Sequence, residues 1–164
     1  MLKIARCVRD LDFDRLMDVY TQSNHLAAKR LYPHCTEYEQ KMRLQEAFYS
    51  SLLAFFRESG AFYALWVQQG NYASALRVEN FQDGVIITGL ETAPRLRGQG
   101  FATALLQAVL GSLGESGIST VYSHVDKKNR ASLVVHKKCG FRVISDHAKL
   151  LDGTVTYELC TLKR

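Results

Sequence analysis

A turn that contains two glycines joins a strand-like segment to a helical one near the middle of the chain. The segment PRLRGQG over 94–100 follows a strand-like run that ends at Thr92 and precedes an apolar stripe of helical spacing over 101–113. Another strand-like run begins at Ser119. A strand, a helix and a strand in this order form a βαβ unit, whose right-handed crossover places the two strands parallel with the helix on one face of their sheet. The fold class is therefore α/β.

The connections upstream of this unit are too short for crossovers. Strand-like runs over 62–67, 72–78 and 84–92 are separated by the turn-forming segments QQGN and NFQDG. Short connections of this kind are typical of an antiparallel meander. The sequence therefore predicts a mixed, mostly antiparallel central sheet with one parallel strand pair.

Further elements flank the meander on both sides. Thr36 and Glu39 have the spacing of a capping box and open a helix that we expect Gly60 to close. The chain has 164 residues, with no linker and no internal repeat, so we expect a single domain over 1–164. The other predicted elements are a strand over 3–8, a helix capped by Asp10 that runs to about Tyr20, a short helix within 129–140 and a final strand pair over 141–145 and 154–162.

Composition narrows the class of partner. No run reaches the roughly 18 apolar residues that span a bilayer, and the first residues mix charges into an apolar stretch, so we expect a cytoplasmic protein without a membrane partner. Four widely spaced cysteines without a CxxC pair argue against a zinc site or a disulfide framework. The formal net charge of +5 favours an anionic partner. Nucleic acid is the less favoured one, because no aromatic residues interleave with the basic clusters.

The glycine turn itself predicts a phosphate site. Free backbone N–H groups and the positive end of the following helix favour an anion, and Gly98 and Gly100 allow a phosphate to approach the backbone closely. A Walker A loop is excluded because Phe101, and not Lys, follows Gly100. A dinucleotide fingerprint is disfavoured because Thr103 stands where its third glycine belongs.

The turn resembles the acetyl-CoA motif of the GNAT superfamily of N-acetyltransferases. That motif is Arg or Gln, two residues, Gly, one residue, then Gly or Ala, and Arg95, Gly98 and Gly100 match it. The resemblance implies the GNAT acyl-CoA N-acyltransferase fold and transfer of an acetyl group from acetyl-CoA to a primary amine of a small molecule or a peptide, directly in a ternary complex and without a metal.

A second family signature follows in the expected order. It is Asn, a small residue, Tyr and finally Gly-Phe, and it is similar to Asn129, Ser132, His136 and the pair Gly140-Phe141. The resemblance extends over about 63–143. It implies that the fourth strand, where Gly89 permits a bulge, contacts the pantetheine arm and that the turn binds the pyrophosphate. The implied cofactor-binding residues are Leu90, Thr92, Arg95, Arg97, Gly98, Gln99, Gly100, Phe101, Ala102 and Asn129.

Catalysis of acetyl transfer requires a proton acceptor for the amine and an acid for the leaving thiolate. His136 stands where the family commonly has a tyrosine, so it is the predicted acid, with Tyr122 or water as the next candidate. Glu91 is the predicted base; His124, Glu79 and a water relay are the weaker candidates. The missing tyrosine also keeps open a non-catalytic CoA-binding regulatory module. The expected partners are acetyl-CoA and an amine acceptor, and a homodimer stays open.

Overall fold

A single mixed sheet of seven strands organises the computed structural model, which describes residues 1–164, with helices on both faces. The helices are α1 (Phe13–Val19), α2 (Thr21–Leu31), α3 (Glu37–Phe55), α4 (Phe101–Glu115) and α5 (Arg130–Lys138). The strands are β1 (Leu2–Ala5), β2 (Phe62–Gln68), β3 (Asn71–Phe81), β4 (Gly84–Thr92), β5 (Val121–Asp126), β6 (Arg142–Ser145), β7 (Ala148–Lys149), β8 (Val155–Thr156) and β9 (Leu159–Lys163).

The strand order is β1-β2-β3-β4-β5-β9-β6, while β7 and β8 form a separate hairpin. Strands β1 to β4 pair antiparallel in sequence order, which confirms the predicted meander. Strands β4 and β5 pair parallel, with α4 as the crossover between them. The mixed α/β fold class with one parallel pair is therefore confirmed.

Each face of the sheet has its own apolar core. On one face, Leu105 and Val109 of α4 pack with Leu76 and Ile87 of the sheet, and α5 lies on this face too. On the other face, Leu16 of α1 belongs to a second cluster that includes residues of α3, β2 and β3. We call the first the α4 face and the second the α1 face.

A bulge interrupts β4 and separates it from β5. Ala75 lies opposite Glu91 and Arg77 lies opposite Thr88, so β4 has two residues between these pairs where β3 has one. Gly89 is one of the two, and its φ of +60° lies in the region that favours glycine. Pairing between β4 and β5 ends at Ile87 and Ser123, so the two strands are unpaired beyond this point.

Some predicted boundaries differ from the structure. The capping box of Thr36 and Glu39 is present, but α3 ends at Phe55, and Gly60 lies in the following turn with a φ of +78°. The prediction that Gly60 closes this helix was therefore wrong. The side chain of Asp12, not Asp10, caps α1, because Asp10 accepts hydrogen bonds from the backbone of residues 6 and 7 instead. None of the helices has both the length and the apolar character that a bilayer-spanning helix requires.

Candidate functional site

A groove with a volume of about 580 Å³ lies where β4 and β5 separate. Ser123 and His136 line it from the α4 face, whereas Thr88 and Glu91 line it from the two sides of the bulge. Glu91 is opposite Ala75, which packs in the core of the α1 face, so its side chain belongs to that face. The groove therefore opens on both faces of the sheet. Helix α2 contributes Gln22, Ser23 and Leu26 to its rim.

The glycine turn leads into one end of this groove. Gly98 has a φ of +77° and Gly100, which precedes the first residue of α4, has a φ of +83°. No side chain caps this helix, and a Cβ atom added at either glycine would meet no atom within 4 Å. The first N–H groups of a helix have no partner within it. The turn is thus an open backbone surface with the electrostatic character of an anion site.

Arg97 is the arginine that reaches the groove. Its Nε donates to the carbonyl of Thr92 at 3.3 Å, and another guanidinium nitrogen donates to the side chain of Gln22. The six-residue motif also fits two positions later than the register that sequence analysis chose, with Arg97, Gly100 and Ala102 at its fixed positions. Of the predicted residues, the groove is lined by Leu90, Glu91, Thr92, Arg97, Gly98, Ala102, Asn129 and His136, whereas Arg95, Gln99, Gly100 and Phe101 lie outside its lining.

Asn129 caps α5 at the rim of the groove. Its Oδ1 accepts a hydrogen bond from the backbone N–H of Ser132 at 3.0 Å. This contact is an ordinary N-cap and leaves the Nδ2 donor of Asn129 without a protein partner. The residue can therefore cap its helix and donate to a bound molecule at the same time.

His136 lies beneath the groove and is only 1% exposed. Its Nδ1 lies 2.8 Å from the carbonyl of Ser132, and its Nε2 lies 2.9 Å from Ser123 Oγ, which is 3.1 Å from the carbonyl of Ile87. A carbonyl only accepts, so the Ser132 carbonyl assigns the proton of the neutral ring to Nδ1 and leaves Nε2 as an acceptor. The single hydroxyl proton of Ser123 goes either to Nε2 or to the Ile87 carbonyl, and it goes to the carbonyl when Nε2 is protonated and donates to Oγ. Burial lowers the pKa of His136, although the bond to Ser132 opposes this shift.

Ser123 is a groove residue that was not predicted from the sequence. Alternation along β5 places it on the same face as the buried Val121 and Val125, which is the only signal that points it toward α5. The other predicted acid, Tyr122, donates to Asp83 Oδ1 at 2.6 Å and does not line the groove.

Two half-buried carboxylates lie on the α1 face near the bulge. Burial raises the pKa of Glu91, opposed by the Ser23 hydroxyl and the charge of Arg97. Burial also raises the pKa of Glu79, opposed by the charge of Arg77. His124 lines the groove too, but its Nε2 lies 3.0 Å from the carbonyl of Lys149, and burial lowers its pKa. A carboxylate with a raised pKa is a better proton acceptor than an ordinary one.

The chain belongs to the acetyltransferase (GNAT) family, because the sequence profile of that family matches residues 13–141. The protein is accordingly an acyltransferase, and the resemblance seen in the sequence is confirmed. No curated protein sequence matches the chain.

Solved structures of low sequence identity share the fold over the whole chain. The PaiA N-acetyltransferase of Thermoplasma acidophilum, in complex with coenzyme A, is 12% identical with a TM-score of 0.66, over 100% of this chain and 98% of that one. The ribosomal-protein-S18-alanine N-acetyltransferase of Escherichia coli is 16% identical with a TM-score of 0.63, over 99% and 92%. An N-acetyltransferase of Staphylococcus aureus Mu50 is 16% identical with a TM-score of 0.65, over 100% and 98%.

Proposed function

We propose that this protein transfers an acetyl group from acetyl-CoA to a primary amine of a small molecule or a peptide, directly and within a ternary complex. The observation that carries the proposal is the uncapped, glycine-containing start of α4, which opens into the groove at the bulge of β4. The PaiA structure, which shares the fold, was solved with coenzyme A, and this supports the same class of ligand here.

The residues present fit acetyl-CoA. The turn around Gly98 leaves space for a pyrophosphate against bare backbone, and Arg97 adds positive charge beside it. The backbone of 90–92 follows the bulge along the groove, where a pantetheine arm would lie. Asn129 has a free amide donor toward the same space. Arg95 lies outside the groove lining, so its proposed contact with the cofactor is confined to the outer edge of the groove.

The acceptor must reach the thioester from the α1 face, because α4 and α5 cover the other face. Bound acetyl-CoA supplies the acetyl group as a thioester, so that a C–N bond forms as the C–S bond breaks. Glu91 takes the proton that the amine loses, since its carboxylate lines the groove on this face and has a raised pKa. Glu79, further along the α1 face, is the second candidate for this role.

His136 is the proposed source of the proton for the departing thiolate, under a condition set by its contacts. Because Nδ1 holds its proton against the Ser132 carbonyl, Nε2 can release a proton only from the doubly protonated ring. That proton must pass through Ser123 Oγ, which stands 2.9 Å from Nε2 and lines the groove. The proposed acid is therefore a His136–Ser123 pair and not an imidazole that touches sulfur.

Two measurements test the proposal. Calorimetry with CoA and acetyl-CoA reports binding, and incubation with acetyl-CoA and a panel of small amines, amino acids and peptides, followed by mass detection of the products, reports transfer. We expect binding together with an added acetyl group on at least one amine. Binding without turnover on any amine would support the regulatory module instead, and absence of binding would overturn the proposal.

A further inference from the structure

Arg77 presents an unusual guanidinium on the α1 face. The side chain is half-buried at the centre of β3, yet it makes none of the ion pairs in the protein. The Tyr63 phenol lies beside it, and burial raises the pKa of Tyr63 to about 12 while the guanidinium opposes that rise. No hydrogen bond of normal geometry joins the two groups. The Glu79 carboxylate, two residues along β3 on the same face, feels the charge of Arg77 but lies beyond ion-pair distance. A partly desolvated guanidinium with unused donors is costly unless something pairs with it.

This guanidinium lies directly against the bulge. A Cβ atom added at Gly89 would come within 3.2 Å of Arg77 Nε and 3.4 Å of one of its terminal nitrogens. Tyr20 donates to the Gly89 carbonyl at 2.7 Å and holds the bulge from the same side. The donors of Arg77 therefore lie directly behind Gly89, which lines the groove, although Arg77 itself is not part of that lining.

A second polar group without a partner accompanies the arginine. Thr88, opposite Arg77 in the strand register, has a buried Oγ1 that completes no hydrogen bond of normal geometry. The Glu79 carboxylate lies close enough to the Thr88 hydroxyl for the hydroxyl to favour the charged form of the carboxylate. The two groups do not form a hydrogen bond of normal geometry, so the hydroxyl remains without a partner. Buried hydroxyls in proteins are nearly always bonded, so the protein alone leaves two polar groups incompletely satisfied at the bulge, and Thr88 is one of the residues that line the groove there.

We infer that the acceptor is an α-amino acid whose carboxylate binds Arg77 while its amine attacks at the bulge; this inference rests on the proposed function. The planar fork of an arginine pairs with a carboxylate through two parallel hydrogen bonds. Since the fork contacts the bulge itself, the carboxylate and the attacking amine must be separated by very few bonds. An acceptor whose only carboxylate lies far from its amine does not meet this requirement. Glu91, on the other side of the bulge, faces the amine.

The test compares matched acceptors. A panel of free α-amino acids is assayed for kcat/KM, and the best of them is then compared with its own amide, with the amine that lacks the carboxyl group, and with the corresponding aminophosphonate. We expect the amide and the decarboxylated amine to be roughly 10- to 100-fold poorer, as for the loss of hydrogen bonds to a charged group. If the aminophosphonate has the same kcat/KM as the amino acid, the site recognises either anion, and the assignment of that anion to Arg77 stands.

Variants then assign the selectivity to Arg77. We expect Arg77→Gln to abolish the preference for the acid over its amide, mainly through a higher KM for the acid. Arg77→Lys keeps the charge but loses the fork, so it should keep only part of the preference. Arg142→Gln, an exposed arginine on the edge strand β6, is the control and should change nothing.

The two levels of failure differ. Equal acetylation of the acid and its amide by the unaltered protein, or an equal fall for both in Arg77→Gln, would overturn the inference and leave the proposed function intact. If no amine is acetylated, the proposed function fails and the inference fails with it. If Arg77→Gln does not fold, the comparison of acid with amide in the unaltered protein and in Arg77→Lys decides.

Discussion

Substitution of Gly98 by alanine separates the use of the glycine turn in binding from its use in folding. Gly98 has a φ of +77°, and Gly117, just after α4, has a φ of +78°. A Cβ atom would meet nothing within 4 Å at either position. An alanine there costs about 1–2 kcal/mol through the left-handed backbone alone, which corresponds to a fall in Tm of about 2–8 °C for a chain of this size. Gly98→Ala and Gly117→Ala should therefore destabilise the fold equally.

Only one of the two glycines lines the groove. The methyl group of Gly98→Ala would stand between the backbone and a phosphate, so we expect the loss of at least one charge-assisted hydrogen bond, about 1.5–3 kcal/mol or roughly a 10- to 100-fold weaker Kd. Gly98→Val should weaken binding further. Calorimetry with CoA at a fixed ionic strength measures these values, with Gly117→Ala expected to bind as the unaltered protein does. Equal affinity in Gly98→Ala and Gly117→Ala would refute the assignment of this turn to the cofactor.

Three more predictions concern the sheet and the proton path. Gly84→Ala should lower the free energy of unfolding, measured in urea, by about 1–3 kcal/mol, because its Cβ atom would lie 2.2 Å from the backbone oxygen of Thr120. A Cβ atom at Gly111 would meet no atom within 4 Å, so Gly111→Ala should not lower the free energy of unfolding, and equal effects of the two substitutions would contradict the prediction. The rate should rise with pH as Glu91 loses its proton, above the usual glutamate range because its pKa is raised, and Glu91→Gln should remove this acid limb; an unchanged profile would assign the base to another group. His136→Phe should lower turnover by about 10²–10⁴ without lowering the affinity for acetyl-CoA, and His136→Tyr should restore part of the rate. In the unaltered protein the rate should decline as pH rises through the lowered pKa of His136, and this decline should be absent in His136→Phe. Equal turnover with Phe, Tyr and His would leave this residue only as a bridge between α5 and β5.

The central part of the fold was predictable because its signals are local. Turn-forming residues delimit β2, β3 and β4, and the strand bounds agree with the predicted runs to within a few residues. The capping box at Thr36 and Glu39 is present with its reciprocal hydrogen bonds. The parallel pair followed from the length of the connection between β4 and β5 and needed no contact information.

Helix α2 could not be predicted from a hydrophobic pattern. Ala28 is its only buried residue, so the segment has no apolar stripe that would distinguish a helix from a polar loop. This helix nevertheless supplies Gln22 to Arg97 and Ser23 to the surroundings of Glu91. Helix α2 therefore contributes more to the groove than to the apolar core. Hydrophobic periodicity reports only on the core, so it could not reveal this helix.

The site was predictable at the backbone and less so at the side chains. Glycines reveal where backbone must approach a ligand, and Gly98 does line the groove. Motif spacing alone could not choose between Arg95 and Arg97, since both give a valid register and only the path of the chain after Thr92 distinguishes them. Spacing also identified His136 without its orientation, which depends on a hydrogen bond to Ser123, thirteen residues away on another element.

The bulge at Gly89 joins the two halves of the proposed reaction through a single constraint. Its φ of +60° would strain any other residue, and a side chain there would also displace the guanidinium of Arg77. The irregularity that frees β4 from β5, and so opens the groove for the thioester, thus also provides the surface against which the acceptor-side arginine packs. A regular β4 would continue its pairing with β5 past Ile87 and close the groove. The proposed reaction therefore places one demand on this position for both of its substrates, a residue without a side chain.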